Sequence, residues 1–220
     1  MRTIDMQTWP RYAHYQLFRG FDHPHYSLGA NVDVSEFYPA VKESGISLSA
    51  ALVYVVARAA NQVPEFRLRM RGDIVVEHEL AHPSITVLTA DELFGFCLIE
   101  YTAAFTEFVR RATERIAFAR ENPTLQDEPG RDDLLFMTAL PWFSFTSFTH
   151  PMNLKAADSI PRFAWGKIFA EGGRWKLPLG AQAHHALVDG LHMSRFFEGV
   201  EALAKEISSA LGEGRRDGGR

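Results

Sequence analysis

Apolar positions recur along the chain with two periods, and each change of period marks an element. Tyr12, Tyr15 and Phe18 fall at helical spacing within residues 7–21 and predict a short amphipathic helix with Arg11 at its start. Residues 26–32 alternate and predict a strand. Asp33 followed by Glu36 has the form of a capping box for a helix whose apolar face is Phe37, Tyr38 and Val41 and whose end is Gly45. Ser47 is placed to cap a second helix, with Leu48, Ala51, Leu52, Val55, Val56 and Ala59 three and four apart, stopping before Pro64. That helix is apolar almost all round until Arg58, so it belongs against a sheet. Short strands are expected over 67–70, 74–78, 84–89 and 93–99, punctuated by Gly72-Asp73 and His82-Pro83. Residues 101–122 turn helical again, with Phe105, Phe108, Val109, Ala112, Ile116 and Ala119 on one face. A polar loop over 123–133 precedes a strand over 134–140.

In the last third, residues 142–148 alternate aromatic and hydroxyl side chains. They predict an extended segment with Ser144 and Thr146 opposite Phe143 and Phe145. Residues 160–170 and 174–184 read as a hairpin about Glu171-Gly172-Gly173. A final helix over 191–211 turns Phe196, Phe197, Val200, Leu203, Ala204 and Ile207 inward. This mixed order predicts one α+β or mixed α/β domain over 1–211, with helices covering one face of a largely antiparallel sheet. Residues 212–220 are expected to be a flexible tail. No G-x-G-x-x-G or G-K-[ST] loop follows a strand, which disfavours a doubly wound nucleotide fold, and H-E-x-x-H is absent.

Composition narrows the chemistry. The 220 residues are 46% hydrophobic and 23% charged, enough to bury a sizeable core. A net charge of −4 without a long basic run argues against nucleic acid and anionic membrane as partners. The longest apolar run, 50–57, is too short to span a bilayer, and the first residues hold no apolar leader segment, so a cytoplasmic location is expected. The single cysteine, Cys97, lies in an apolar stretch and reads as core packing; a cysteine zinc site is excluded. Seventeen phenylalanines suggest an aromatic core or an apolar pocket.

The chemistry concentrates in residues 181–190, Ala-Gln-Ala-His184-His185-Ala-Leu-Val-Asp189-Gly190. An apolar strand ends there and a helix begins, a placement that presents side chains to a cleft. Alternation sends His184 and His185 to opposite faces, so one of them faces a given site. A histidine titrates near neutrality and can take a proton from a hydroxyl. The spacing by itself is equally compatible with two satisfied histidines at a strand end and an aspartate capping a helix.

With this motif in place, other marks line up. His184-His185-x-x-x-Asp189-Gly190 resembles the signature of the chloramphenicol acetyltransferase family. The segment 141–148, Pro-Trp-Phe-Ser-Phe-Thr-Ser-Phe, is similar to that family's Pro-Trp-x-x-Phe-x-Ser-Phe. Trp9-Pro10-Arg11, Pro64-Glu65-Phe66-Arg67 and His82-Pro83 also match, in order, over nearly the whole chain. The resemblance implies a CoA-dependent acyltransferase fold, a two-layer sandwich of a mixed sheet and helices. It implies acetyl-CoA as cosubstrate, no metal, chloramphenicol as the small-molecule alcohol acceptor and hence a bearing on antibiotic resistance. It also implies a homotrimer with active sites between subunits. On this resemblance His185 is the general base, Ser147 stabilises the oxyanion, and Asp189 and Arg11 form a structural ion pair. Phe18, Tyr26 and Phe94 fall on the acceptor pocket, and Trp142 and Lys167 on the CoA side. His184, His192 and His82 read as structural.

The chain departs from the family pattern near CoA. Ser47 and Ser49 stand where the family often has lysine and tyrosine, Ile168 where a tyrosine follows the lysine, and Ala164 where a threonine lies near the transition state. Two other readings compete with acetylation of chloramphenicol. One is a related acyltransferase for another small hydroxylated acceptor, and the other is a binding protein that kept the fold and lost turnover.

Overall fold

The computed structural model describes residues 1–153 and 158–217. In chain order the elements are β1 (Arg2–Thr3), α1 (Tyr12–Arg19), β2 (His25–Asp33), α2 (Phe37–Ser44), α3 (Leu48–Asn61), β3 (Leu68–Arg71), β4 (Ile74–Glu77), β5 (His82–Leu88), β6 (Phe94–Leu98), α4 (Phe105–Glu121), β7 (Leu134–Leu140), β8 (Arg162–Gly166), β9 (Phe169–Glu171), β10 (Arg174–His184) and α5 (Gly190–Asp217). The main sheet runs β2-β10-β8-β7-β5-β6, with β9 also on β10. It is mixed: β5-β7 and β7-β8 are parallel, and the other pairs antiparallel. A small antiparallel sheet, β1-β4-β3, stands apart. This is the expected helix-covered mixed sheet.

Helix α3 is buried along most of its length, as its all-round apolar pattern required. It packs on α2, α4, α5 and β5. Phe66, Phe163 and Phe196 join the Pro64–Arg67 turn, β8 and α5, with ring centroids 4.8–5.5 Å apart. Phe163 and Trp165 therefore face the helices, while Ala164 and Gly166 face away. Cys97 is buried in this core, and burial pushes its thiol up to about 11.

The opposite face of the sheet is stripped to small residues where residues 143–148 cross it. A Cβ on Gly166 would sit 2.9 Å from the Phe143 carbonyl, and one on Gly29 would sit 3.3 Å from the Thr146 carbonyl. That segment forms no strand, contrary to its alternating pattern. Its hydrogen bonds go sideways: the Lys167 amide donates to the Phe143 carbonyl at 2.9 Å, and Ser144 Oγ donates to the Lys167 carbonyl at 2.9 Å. The same bonds draw Lys167 and Ile168 out of the ladder, so the single strand expected over 160–170 is split into β8 and β9.

The expected capping box at Asp33 does not form. Asp33 stays in the ladder opposite Lys176, and its Oδ1 accepts from the Ser35 amide and hydroxyl at 3.0 and 2.6 Å. Its Oδ2 lies 3.0 Å from Arg174 and 3.2 Å from Lys176. Helix α2 starts after Glu36 with no side-chain cap. Ser47 does cap α3, accepting from the Ala50 amide at 3.3 Å. Helix α5 runs past the expected end at 211, so residues 212–217 are helical; residues 218–220 of the expected tail lie outside the described residues. Among the described residues no helix is long and apolar enough to cross a membrane.

Candidate active site

Strand β10 ends at His184, and residues 185–189 turn into α5. His184 Nδ1 accepts from the Ala186 amide at 3.1 Å, and the His184 carbonyl accepts from Leu187 and Val188 at 3.0 and 3.1 Å. The ring is buried, edge-on to His25 at 4.8 Å, and burial brings its pKa down to about 4. His184 is thus a neutral structural histidine. The turn also ties to β2's approach, since the His185 amide donates to the Pro24 carbonyl at 2.8 Å.

His185 faces the other way, with about a third of its side chain exposed. Its Nδ1 lies 3.1 Å from the Val188 carbonyl and 3.4 Å from Asp189 Oδ1. Both are acceptors, so Nδ1 carries the proton and Nε2 keeps its lone pair. Phe18 stacks on the imidazole with centroids 4.0 Å apart and planes 13° from parallel, and the Tyr26 ring lies 4.5 Å away. Aromatic faces against the ring favour an imidazolium formed there. The Tyr26 hydroxyl is buried without a partner among the described residues, and burial raises its pKa.

Arg11, just before α1, holds the turn from below. Its guanidinium pairs with both oxygens of Asp189, at 2.5 Å for Nη2–Oδ1, and also donates to the carbonyls of Ala186 at 2.8 Å and His185 at 2.7 Å. These bonds keep the Asp189 carboxyl below the usual carboxylate range. A lone arginine before a helix commonly reads as solvated; this one is 11% exposed at its side chain. Arg11, Phe18, Tyr26, His185 and Asp189 are therefore brought together.

Ser147, Trp142, Lys167 and Phe94 are not part of that group within one chain. Ser147 is exposed and lines a cleft of about 330 Å³ with Asn31, Ser144, Phe145, Thr146 and Phe169. Its neighbours Thr146 and Phe148 lie over Gly29 and Gly180. His185 is five strand residues beyond Gly180, on the order of 15 Å away. Trp142 is 61% exposed in a turn. Lys167 is exposed, its backbone bonded to Phe143 and Ser144. Phe94 is half-exposed on β6, four strands from β10 in the sheet. Ala164 is fully buried opposite Gly180. Two polar residues near the site escape a reading by motif. Gln182 is buried, and its Oε1 accepts from the His150 amide at 2.7 Å. Burial lowers the His150 pKa to about 4. The sequence signals Gln182 alone, as a polar residue inside an apolar strand. Among the described residues no group of acidic, histidine or cysteine side chains is placed to hold a metal.

The helix-backed mixed sheet is the fold of CoA-dependent acyltransferases. A solved dihydrolipoamide acetyltransferase of Azotobacter vinelandii shares this fold, at 19% identity and a TM-score of 0.66 over 90% of this chain and 88% of that one. A solved chloramphenicol acetyltransferase is nearer, at 27% identity and a TM-score of 0.82 over 91% of this chain and 98% of that chain. A chloramphenicol acetyltransferase of Klebsiella sp is 30% identical over 207 residues, 93% of this chain and 94% of its own. The family profile "Chloramphenicol acetyltransferase" matches residues 1–201. The chain belongs to the chloramphenicol acetyltransferase family, a family of acetyl-CoA-dependent O-acetyltransferases.

Proposed function

We propose that this protein transfers an acetyl group from acetyl-CoA to a hydroxyl of chloramphenicol, with His185 as general base. The observation that carries the reading is the His185 imidazole, whose Nδ1 proton is committed to the Val188 carbonyl and whose Nε2 is therefore basic. Nε2 takes the proton of the acceptor hydroxyl as its oxygen attacks the thioester carbonyl. The resulting imidazolium, held against Phe18 and Tyr26, returns the proton to the departing CoA thiolate. No covalent enzyme intermediate is required. Ser147 donates to the oxyanion of the tetrahedral intermediate. Phe18 and Tyr26, beside His185, line the acceptor pocket together with Phe94 of a neighbouring copy, and Trp142 and Lys167 contact CoA. The cytoplasmic location expected from the sequence suits an enzyme that draws on acetyl-CoA.

The separation between Ser147 and His185 in one chain favours a site built from two chains. A homotrimer would bring Ser147 of one copy to His185 of the next. The exposed apolar side chains Leu17, Phe21 and Leu28, near Phe18 and Tyr26, support such a surface. Thiol release from acetyl-CoA in the presence of chloramphenicol tests the activity; release with other small alcohols alone would replace chloramphenicol as acceptor.

Two outcomes follow for Ser147. Ser147→Ala is expected to lower kcat about a hundredfold with little change in KM, because its hydroxyl meets charge present only in the transition state. A kcat within a few-fold of the parent would remove Ser147 from the chemistry. Mixed oligomers of Ser147→Ala and His185→Ala chains, co-refolded in equal amounts, are expected to recover turnover at about a quarter of their sites, where each intact residue meets the other across an interface. Mixtures as inactive as either variant alone would place both residues in one chain's site.

A further inference from the structure

The turn that carries His185 ends in a capping box with an unusual member. Asp189 is the N-cap of α5, its carbonyl accepting from the Met193 amide at 3.1 Å. At the third helical position stands His192, where a glutamate or glutamine usually reaches back to the N-cap amide. His192 Nδ1 makes that contact, accepting the Asp189 N–H at 2.8 Å. The reciprocal half is absent because the Asp189 carboxylate is turned to Arg11. A backbone N–H can only donate, so Nδ1 is unprotonated and the ring proton lies on Nε2. Nε2 is 3.4 Å from Oε1 of Glu65, in the Pro64–Arg67 turn. His192 is buried, and Glu65 Oε2 is buried with no hydrogen-bond partner among the described residues.

We propose that His192 and Glu65 are a positioning pair for the catalytic base. Glu65 holds the Nε2–H form of His192, whose Nδ1 lone pair pins the Asp189 amide. That fixes the peptide whose carbonyl, on Val188, orients His185 Nδ1, and it fixes the carboxylate that holds Arg11. The inference rests on His185 being the base. It also makes the turn sensitive to acid, since a proton on Nδ1 would set a donor against a donor.

The charged groups facing His192 are Glu65 and Asp189, which favour its protonation, and Arg11 and Arg195, which oppose it. Burial is the largest influence and sets the pKa below the ordinary 6.5. The arrangement is therefore intact above 6.5 and is lost as the pH falls through the lowered value.

Two variants and one spectroscopic measurement test this. His192→Gln keeps an acceptor at the right position but cannot titrate; His192→Leu has no acceptor. His192→Leu, shown folded by circular dichroism, is expected to lose at least about tenfold in kcat with a smaller change in KM. His192→Gln is expected to stay within a few-fold of the parent at pH 8. Its log kcat/KM should fall less steeply than the parent's as the pH drops below 6.5, because the residue at 192 no longer titrates. In the parent, ¹⁵N spectra of the imidazoles, with His192 assigned by its loss in His192→Gln, are expected to show a bare Nδ1 and a protonated Nε2 at neutral pH.

A His192→Leu enzyme as active as the parent, an acid limb unchanged in His192→Gln, or a protonated Nδ1 in the parent would overturn the pair. Should the parent fail to acetylate chloramphenicol, the proposed function falls. The ¹⁵N signals still decide the pair: a bare Nδ1 at neutral pH that gains its proton in acid supports it, and a protonated one ends it.

Discussion

His185→Ala is expected to lower kcat/KM for acetyl transfer by about 10³- to 10⁴-fold, the upper range for a positioned base. The neutral alcohol is a weak nucleophile, and among the site's side chains the His185 Nε2 is the basic atom that remains free. The ring has one acceptor-facing nitrogen at 3.1 Å from Val188, which disposes of its proton and leaves the other nitrogen for chemistry. Asp189 cannot replace it, because its carboxylate is ionised and occupied by Arg11. His184→Ala is the control. That ring is buried and neutral and bonds the Ala186 amide, so its loss should appear chiefly as a lower melting temperature. Steady-state kinetics and thermal unfolding of both variants check the pair. Equal loss of turnover in two folded variants would defeat the assignment of roles.

Arg11→Ala is expected to impair stability and turnover together. Arg11 joins the start of α1 to the turn that carries His185 through four hydrogen bonds, reaching two backbone carbonyls and both oxygens of a carboxylate. Removing it strands Asp189 and leaves the His185 and Ala186 carbonyls without their partner. Breaking a buried pair costs about 3–5 kcal/mol, and here about 2–3, since the Asp189 side chain is 36% exposed and water screens part of the loss. Turnover should fall by about two orders of magnitude or more because the turn that orients His185 loses its anchor. Arg11→Lys should recover little, since an ammonium cannot span two carbonyls and a carboxylate at once. Denaturant unfolding and kcat report on the two effects. The double variant with Asp189→Asn should be less destabilised than the sum of its single variants, because the stranded charge is gone.

Phe18 and Tyr26 were expected in an acceptor pocket and do flank His185, whereas Phe94 sits on another strand of the sheet. His82 and His192, read as structural, each bond a backbone amide, of Tyr101 and Asp189 respectively.

What could be read from the chain alone is what depends on near neighbours. The periods of apolar residues located the helices and most strands, because burial of one face repeats every 3.6 or 2 residues whatever the fold. The His184-His185 alternation separated a structural ring from an exposed one for the same reason. Long-range competition for hydrogen bonds decided the rest. Asp33 had the local credentials of a helix cap, but ladder pairing with β10 and the cations Arg174 and Lys176 held it in a strand. Residues 142–148 alternate like a strand, yet the glycine-lined face of the sheet accepts them only as a crossing segment bonded to Lys167. Arg11 reaches a partner 178 residues away, and His192 meets Glu65 from the far end of the chain. No local pattern encodes which buried donor finds which acceptor, because that choice is made when packed elements leave a polar group no other partner.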